Sequence, residues 1–415
     1  MTVARHMHAS LLIFFILIAI LSITAPAHNA NTLPEYINLK VPFHYQKTPN
    51  YCGEGSLDMI FDYYGPRISQ DEIADVAHNG IGTDPQLARR AAHFSNMSRA
   101  RGDPSLQGYT NRSIGYAAFE HYWSTPSNPD VDEEGAINDL KSILASGSPL
   151  MVLTWYDESK KSSHWRVLKG YDDSSGEFIL HDPAQPGWGK YYGPDINFDY
   201  YDFVNNIWNV NGNRYALFVS PWEINMYFSQ QPVLNVTTEL HATIHYPCPP
   251  PYSGMDYEAQ QCAVRLTGEG FIILSNATVQ MPSMCGGDWA NATWKILPTR
   301  TSMVINVSAT GIIVGYTTDP KGKNYVYRDR IGSMYSAIMN ARPNSPPTVE
   351  ILSPKGGEVY DDKLDVFWRA EDKDGDAIKI HIDLIMVGDG GKNAPILAKE
   401  CNNTGHEVIL LKKRR

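Results

Sequence analysis

The sequence has no excess of basic residues. Lys and Arg number 35 against 45 Asp and Glu among 415 residues, a net charge of −10. Such a chain has no dominant cationic footprint for a phosphate backbone, which excludes nucleic acid as a main partner. Charged residues make up only 19% and hydrophobic residues 43%, too apolar a balance for a disordered chain. Long apolar runs are scarce as well. The one from Leu11 to Ile23 is shorter than the roughly twenty residues of a membrane-spanning helix, and no later segment approaches that length. There is no GxxxxGK[ST] loop to cradle nucleotide phosphates, no HExxH and no CxxC pair, so nucleotide hydrolysis and zinc chemistry have no support.

What is present begins with an address. Arg5, His6 and His8 precede the apolar run, and Ala25-Pro26-Ala27 follows it. These are the basic, apolar and small-residue parts of a secretory signal over residues 1–27, with an uncleaved N-terminal anchor as the alternative. Either reading expects an extracellular or cell-surface protein. Sequons at Asn96, Asn111, Asn235, Asn276, Asn291, Asn306 and Asn402 permit glycosylation there. Five cysteines, an odd number, leave one thiol over in an oxidising exterior. Cys52 stands far from Cys248, Cys262, Cys285 and Cys401, so the expected partition is one working thiol and two disulfides. Cys248 with Cys262 would close a loop of about fifteen residues, stabilising by about 3 kcal/mol. Cys285 with Cys401 is the remaining pair.

Periodicity divides the rest. Over 31–222, helical spacing from Cys52 to Tyr64 stops at Gly65-Pro66. Ser69 and Glu72 form a capping box for the next helix, Asp84-Pro85 opens a third, and Ile137, Leu140, Ile143 and Leu144 mark a fourth. Strands follow at Pro149 to Tyr156, His164 to Tyr171 and Glu177 to Asp182. Helices first and antiparallel strands afterwards predict an α+β domain. From 223 to 343, the runs Val233 to Ile244, Val264 to Leu274, Met303 to Val307 and Ile312 to Tyr316 predict an all-β, immunoglobulin-like sandwich. Asn344-Ser345-Pro346-Pro347 is a linker, and 346–415 reads as a second, short and incomplete β unit of the same kind.

Chemistry concentrates at four residues. Cys52 opens an amphipathic helix, where free N–H groups and the positive end of the dipole favour a thiolate. Gln46, six residues upstream, is the candidate oxyanion-hole donor alongside the Cys52 N–H. If the strand-to-strand turn is centred near Ser174, His164 faces Pro183 or Ala184, next to Asp182. Opposed and diagonal neighbours lie about 4.5 to 8 Å apart, so Asp182 can fix the His164 tautomer and leave the other ring nitrogen for Cys52. His181 competes for the base, but its side chain belongs to the opposite strand face.

This ordered set resembles the papain-like cysteine peptidases related to the bacteriocin-processing, double-glycine leader peptidases. The matching pieces are Val41-Pro42 and Gln46, Cys52-Gly53 with Ser56-Leu57 and Tyr63-Tyr64-Gly65, His164 before Val167 to Asp172, and Ile179 to Pro183. The resemblance implies a papain-like fold with Cys52 as nucleophile, His164 as base, Asp182 as its orienter and Gln46 in the oxyanion hole. It also implies a peptide or protein substrate and no cofactor. Glu54, where the family usually has a small residue or Pro, and the bulky Trp165-Arg166 pair depart from the pattern. They keep a second reading open, a catalytically weak or inactive surface binding or adhesion protein. Asp372, Asp374 and Asp376 alternate in an acidic turn as calcium ligands do, without the downstream Glu of the twelve-residue calcium loop. No other metal is implied. The β-rich half is expected to be a structural and targeting arm associated with the cell surface.

Overall fold

A computed structural model describes residues 33–65, 68–80, 82–95, 113–318, 322–387 and 393–411. The expected secretory signal, Asn96, Asn111 and the last four residues lie outside them. Among the described residues no helix is long and apolar enough to cross a membrane. The described residues from Glu35 on belong to one compact unit.

The first part contains β1 (Tyr36–Asn38), α1 (Cys52–Tyr64), α2 (Gln70–Ala77), α3 (Pro85–His93), β2 (Ala117–Ser124), α4 (Glu133–Ala145), β3 (Leu150–Trp155), β4 (Ser163–Asp172), β5 (Glu177–Asp182), β6 (Gly193–Asp199) and β7 (Arg214–Ser220). The helix starts follow their capping chemistry. Ser69 and Glu72 make the reciprocal capping box of α2, and the Asp84 carboxylate accepts from Gln86 N ahead of Pro85. The strands form one antiparallel sheet in the order β2-β7-β3-β4-β5-β6, with β1 added against β4. Both faces of this sheet are covered. Met151, Trp165, Val167, Tyr215, Leu217 and Val219 pack with α1, α2 and α3, while Leu150, Val152, Leu168, Ala216 and Phe218 pack with α4 and the β-rich part. Burial on both faces explains why β7, a continuous apolar run, gave no alternating signal.

The β-rich part has β8 (Glu223–Phe228), β9 (Thr238–His245), β10 (Gln260–Glu269), β11 (Phe271–Ile273), β12 (Thr278–Gln280), β13 (Trp289–Pro298), β14 (Ser302–Thr318) and β15 (Asn324–Asn340). They form two four-stranded antiparallel sheets, β12-β10-β14-β15 and β11-β13-β9-β8, around a shared core that includes Leu240, Ile244, Val264, Leu266, Trp294, Ile305 and Val307. The two runs expected at Met303 to Val307 and Ile312 to Tyr316 are a single strand. Gly311 continues the ladder opposite Ile331 because Cys262, Ala259 and Trp222 fill the space where its side chain would stand. The β14–β15 hairpin braces α3. Arg89 reaches the Tyr316 carbonyl and pairs with Glu120, the His93 ring meets Tyr327 Oη at 2.8 Å, and Ser95 N donates to Asp329 at 2.8 Å.

The remaining strands are β16 (Thr348–Ser353), β17 (Lys363–Glu371), β18 (Lys379–Val387), β19 (Asn393–Asn402) and β20 (His406–Leu410). They make a three-stranded and a two-stranded sheet. The acidic turn here serves the linker. Asp374 pairs with Arg342 and accepts from Ser345 N at 2.5 Å, Asp376 accepts from the Asn344 amide, and Asp372 accepts from Asp374 N. Among the described residues no group of three His, Cys, Asp or Glu is arranged to hold a metal.

The expected disulfides are not formed; all five cysteines are unpaired. Cys262 is buried, its sulfur 3.0 Å from the Ala259 carbonyl and packed on Gly311, whereas Cys248 packs on Gly286. Cys401 lies in β19, packed with the separate core of Leu364, Val366 and Trp368.

Candidate active site

The site lies where the start of α1 meets the ends of β4 and β5. Register brings the last two together. From the turn, Asp172 pairs with Glu177 and Tyr171 with Phe178. A bulge between Leu168 and Gly170 then shifts the pairing to Leu168 with Leu180 and Val167 with His181. Continued by one residue, that register sets Arg166 opposite Asp182 with His164 diagonal to both. Side chains alternate along a strand, so these three share one face and Val167 and His181 take the other.

The hydrogen bonds follow from that placement. His164 Nε2 lies 2.7 Å from Asp182 Oδ1, which also accepts from Ala184 N at 2.8 Å. Asp182 Oδ2 accepts from Arg166 Nε at 2.7 Å. The Arg166 guanidinium is fully buried and donates further to Thr154 Oγ1, the Trp155 carbonyl and the Tyr156 carbonyl, fixing the end of β3. Burial alone would push the Asp182 carboxyl up; the Arg166 charge, His164 and Ala184 N–H outweigh it and hold it down at about 2. Burial lowers the His164 pKa, with Asp182 acting against it and Arg166 adding to it. His181 is engaged elsewhere, with Nε2 3.0 Å from the Val41 carbonyl.

Cys52 and His164 line one cavity of about 840 Å³. The Cys52 sulfur meets the backbone of Trp165, the residue after His164, and burial with Glu54 nearby pushes the thiol up to about 12 against backbone hydrogen bonds with Trp165 and Gly53. Burial thus favours the neutral form of both the Cys52 thiol and the His164 imidazole. The wall opposite is held by Thr83. Its hydroxyl donates to Glu54 Oε2 at 2.8 Å, its carbonyl accepts from Trp165 Nε1 at 2.9 Å, and its side chain occupies the space of a Gly53 Cβ. The other Glu54 oxygen lies 2.9 Å from His78 Nδ1, and burial raises the Glu54 pKa. The Tyr156 ring stands edge-on to His164 at 4.7 Å.

Cys52, His164 and Asp182 thus converge, and Gln46 does not join them. Its amide donates to the Thr48 and Pro49 carbonyls, both at 2.8 Å, so it fixes the turn leading into α1. Two carbonyls within reach are better partners for its N–H₂ than an empty cavity. Arg166 is the residue that sequence reading missed. In sequence it stands out only as a bulky departure from the family pattern, although the strand register that sets His164 beside Asp182 also sets residue 166 opposite it.

Residues 38–215 match a family model described as "Peptidase_C39 like family". A comparison with curated proteins finds no match. Among solved structures the chain is similar to xylellain, a cysteine protease from Xylella fastidiosa, at 17% identity over 46% of this chain and 87% of that one, with a TM-score of 0.31. The family match spans most of the described seven-stranded sheet and its helices, and the β-rich region lies beyond it.

Proposed function

We propose that this chain is an exported cysteine peptidase that hydrolyses peptide bonds through an acyl-enzyme. The observation that carries the reading is the His164–Asp182 hydrogen bond at the cavity that also holds Cys52. With Nε2–H donated to Asp182, Nδ1 keeps its lone pair for the thiol proton. Cys52 Sγ attacks the scissile carbonyl carbon as its proton passes to His164. Backbone N–H groups at the start of α1 meet the oxyanion, supported by the turn that Gln46 fixes. His164 then protonates the departing amine as the C–N bond breaks, and water hydrolyses the thioester. Because burial disfavours the charged forms of both groups, His164 serves as general base to the Cys52 thiol during attack. Kinship with the double-glycine leader peptidases, immunoglobulin-like identity of the β units and anchoring at the cell surface complete the reading.

One observation favours the alternative, a binding module on the same fold. Burial and the nearby Glu54 push the Cys52 thiol up, away from the reactive thiolate. Digestion of a peptide library decides between them. Turnover that falls about a thousandfold or more in Cys52→Ala and His164→Ala supports hydrolysis. Turnover that survives Cys52→Ala ends the peptidase reading, and peptide binding without turnover in the wild type favours the module.

A further inference from the structure

Among the described residues the cavity lining includes Lys160 and Lys161 and no Asp or Glu, in a chain whose net charge is −10. Both lysines are exposed, on the loop between β3 and β4 that ends at His164. The carboxylates of the same loop are turned to other partners. Asp157, near Lys161, accepts from Ser159 N at 2.9 Å, and Glu158 pairs with Lys190 and Tyr191. Of the buried carboxylates beside the cavity, Asp182 is matched by Arg166, and Glu54 is engaged by the Thr83 hydroxyl and His78. The hydrogen-bond partner of the Lys160 ammonium among the described residues is neutral, the Asn206 amide oxygen at 3.5 Å. Lys160 also holds a φ of 55°, a left-handed conformation that glycine or asparagine takes more readily. A long cationic side chain thus stands where local backbone preference asks for a small residue.

Taken with the proposed hydrolysis, on which it rests, this arrangement leads us to infer that the cavity selects peptides by a carboxylate placed against Lys160 and Lys161. Two point charges at the mouth of a low-dielectric cleft draw an anion in and disfavour a cation by the same interaction. Trp188, also at the cavity, and Tyr156, on whose ring the Trp188-Gly189 segment packs, add an aromatic wall for the stem of that residue. The carboxylate comes either from an Asp or Glu side chain within the substrate or from a free peptide C-terminus.

Matched peptides test this with the full chain, each carrying Glu, Gln or Lys at every position around the cleavage point, with amidated or free C-termini. The expected result is kcat/KM about tenfold higher for Glu than for Gln, lower still for Lys, and a smaller preference at high salt. A preference kept in amidated peptides assigns the side chain; one confined to free acids assigns the terminus. The Lys160→Glu/Lys161→Glu variant should reverse the order of Glu and Lys peptides. Cleavage that ignores charge in the wild type and in this variant overturns the inference while leaving the peptidase reading intact. Absence of cleavage of any peptide counts against that underlying reading instead.

Discussion

Replacing Arg166 with Met leaves the Asp182 carboxylate buried with only His164 and Ala184 N–H against it, and strips donors from Thr154, Trp155 and Tyr156. Removing one partner of a buried ion pair costs about 3–5 kcal/mol, because the remaining charge stays uncompensated. The bonds lost at Thr154, Trp155 and Tyr156 belong to the same buried network, so they fall within that figure and are not summed with it. A loss of about 4 kcal/mol, roughly a thousandfold in the folding equilibrium, is therefore expected from urea unfolding at neutral pH. Arg166→Lys keeps a charge but not the planar fork, so it should recover part of the loss. Adding Asp182→Asn to Arg166→Met removes the stranded charge, and the double variant should be less destabilised than the two single changes summed. Catalysis supplies a separate readout. Arg166 pushes the His164 pKa down, so without it the acid limb of kcat/KM, set by a His164 that must be neutral to accept the thiol proton, should move to higher pH. A destabilisation below about 1 kcal/mol, strict additivity in the double variant and an unmoved acid limb would together refute the argument.

The Asp182 carboxyl is held at about 2 in the fold, against about 3.9 for an unperturbed Asp. Its contribution of about 2–3 kcal/mol is present above pH about 4 and lost as pH falls from about 4 towards 2; Asp182→Asn should flatten that part of the urea-midpoint profile. Gly53→Ala would set a Cβ 2.2 Å from the Thr83 Cβ, so the cavity wall must shift. A cost of about 1–3 kcal/mol with a fall in kcat/KM is expected, and an unchanged thermal midpoint would contradict the packing described.

Local rules determined much of this protein from sequence. The α1 helix, the Ser69–Glu72 capping box, the Asp84 cap and the β5 strand depend on periodicity and side-chain-to-backbone chemistry within a few residues, and the structure has them where that chemistry puts them. The nearness of His164 and Asp182 was legible from the hairpin, but the register of its turn would set them on opposite faces, and the bulge brings them onto one. Tertiary structure decided the rest. The bulge at Lys169 sets which residues share the catalytic face, and no local pattern announces it. β7 went unread because both of its faces are buried, which erases alternation. Arg166 became a partner of Asp182 only once burial made an unpaired carboxylate costly. The Gln46 amide turned from the cavity because two carbonyls of its own turn lay closer, and Cys262 was buried away from Cys248 by the packing of the β-rich core. Cysteine positions in sequence limit which bridges can form, but only packing decides which sulfurs meet.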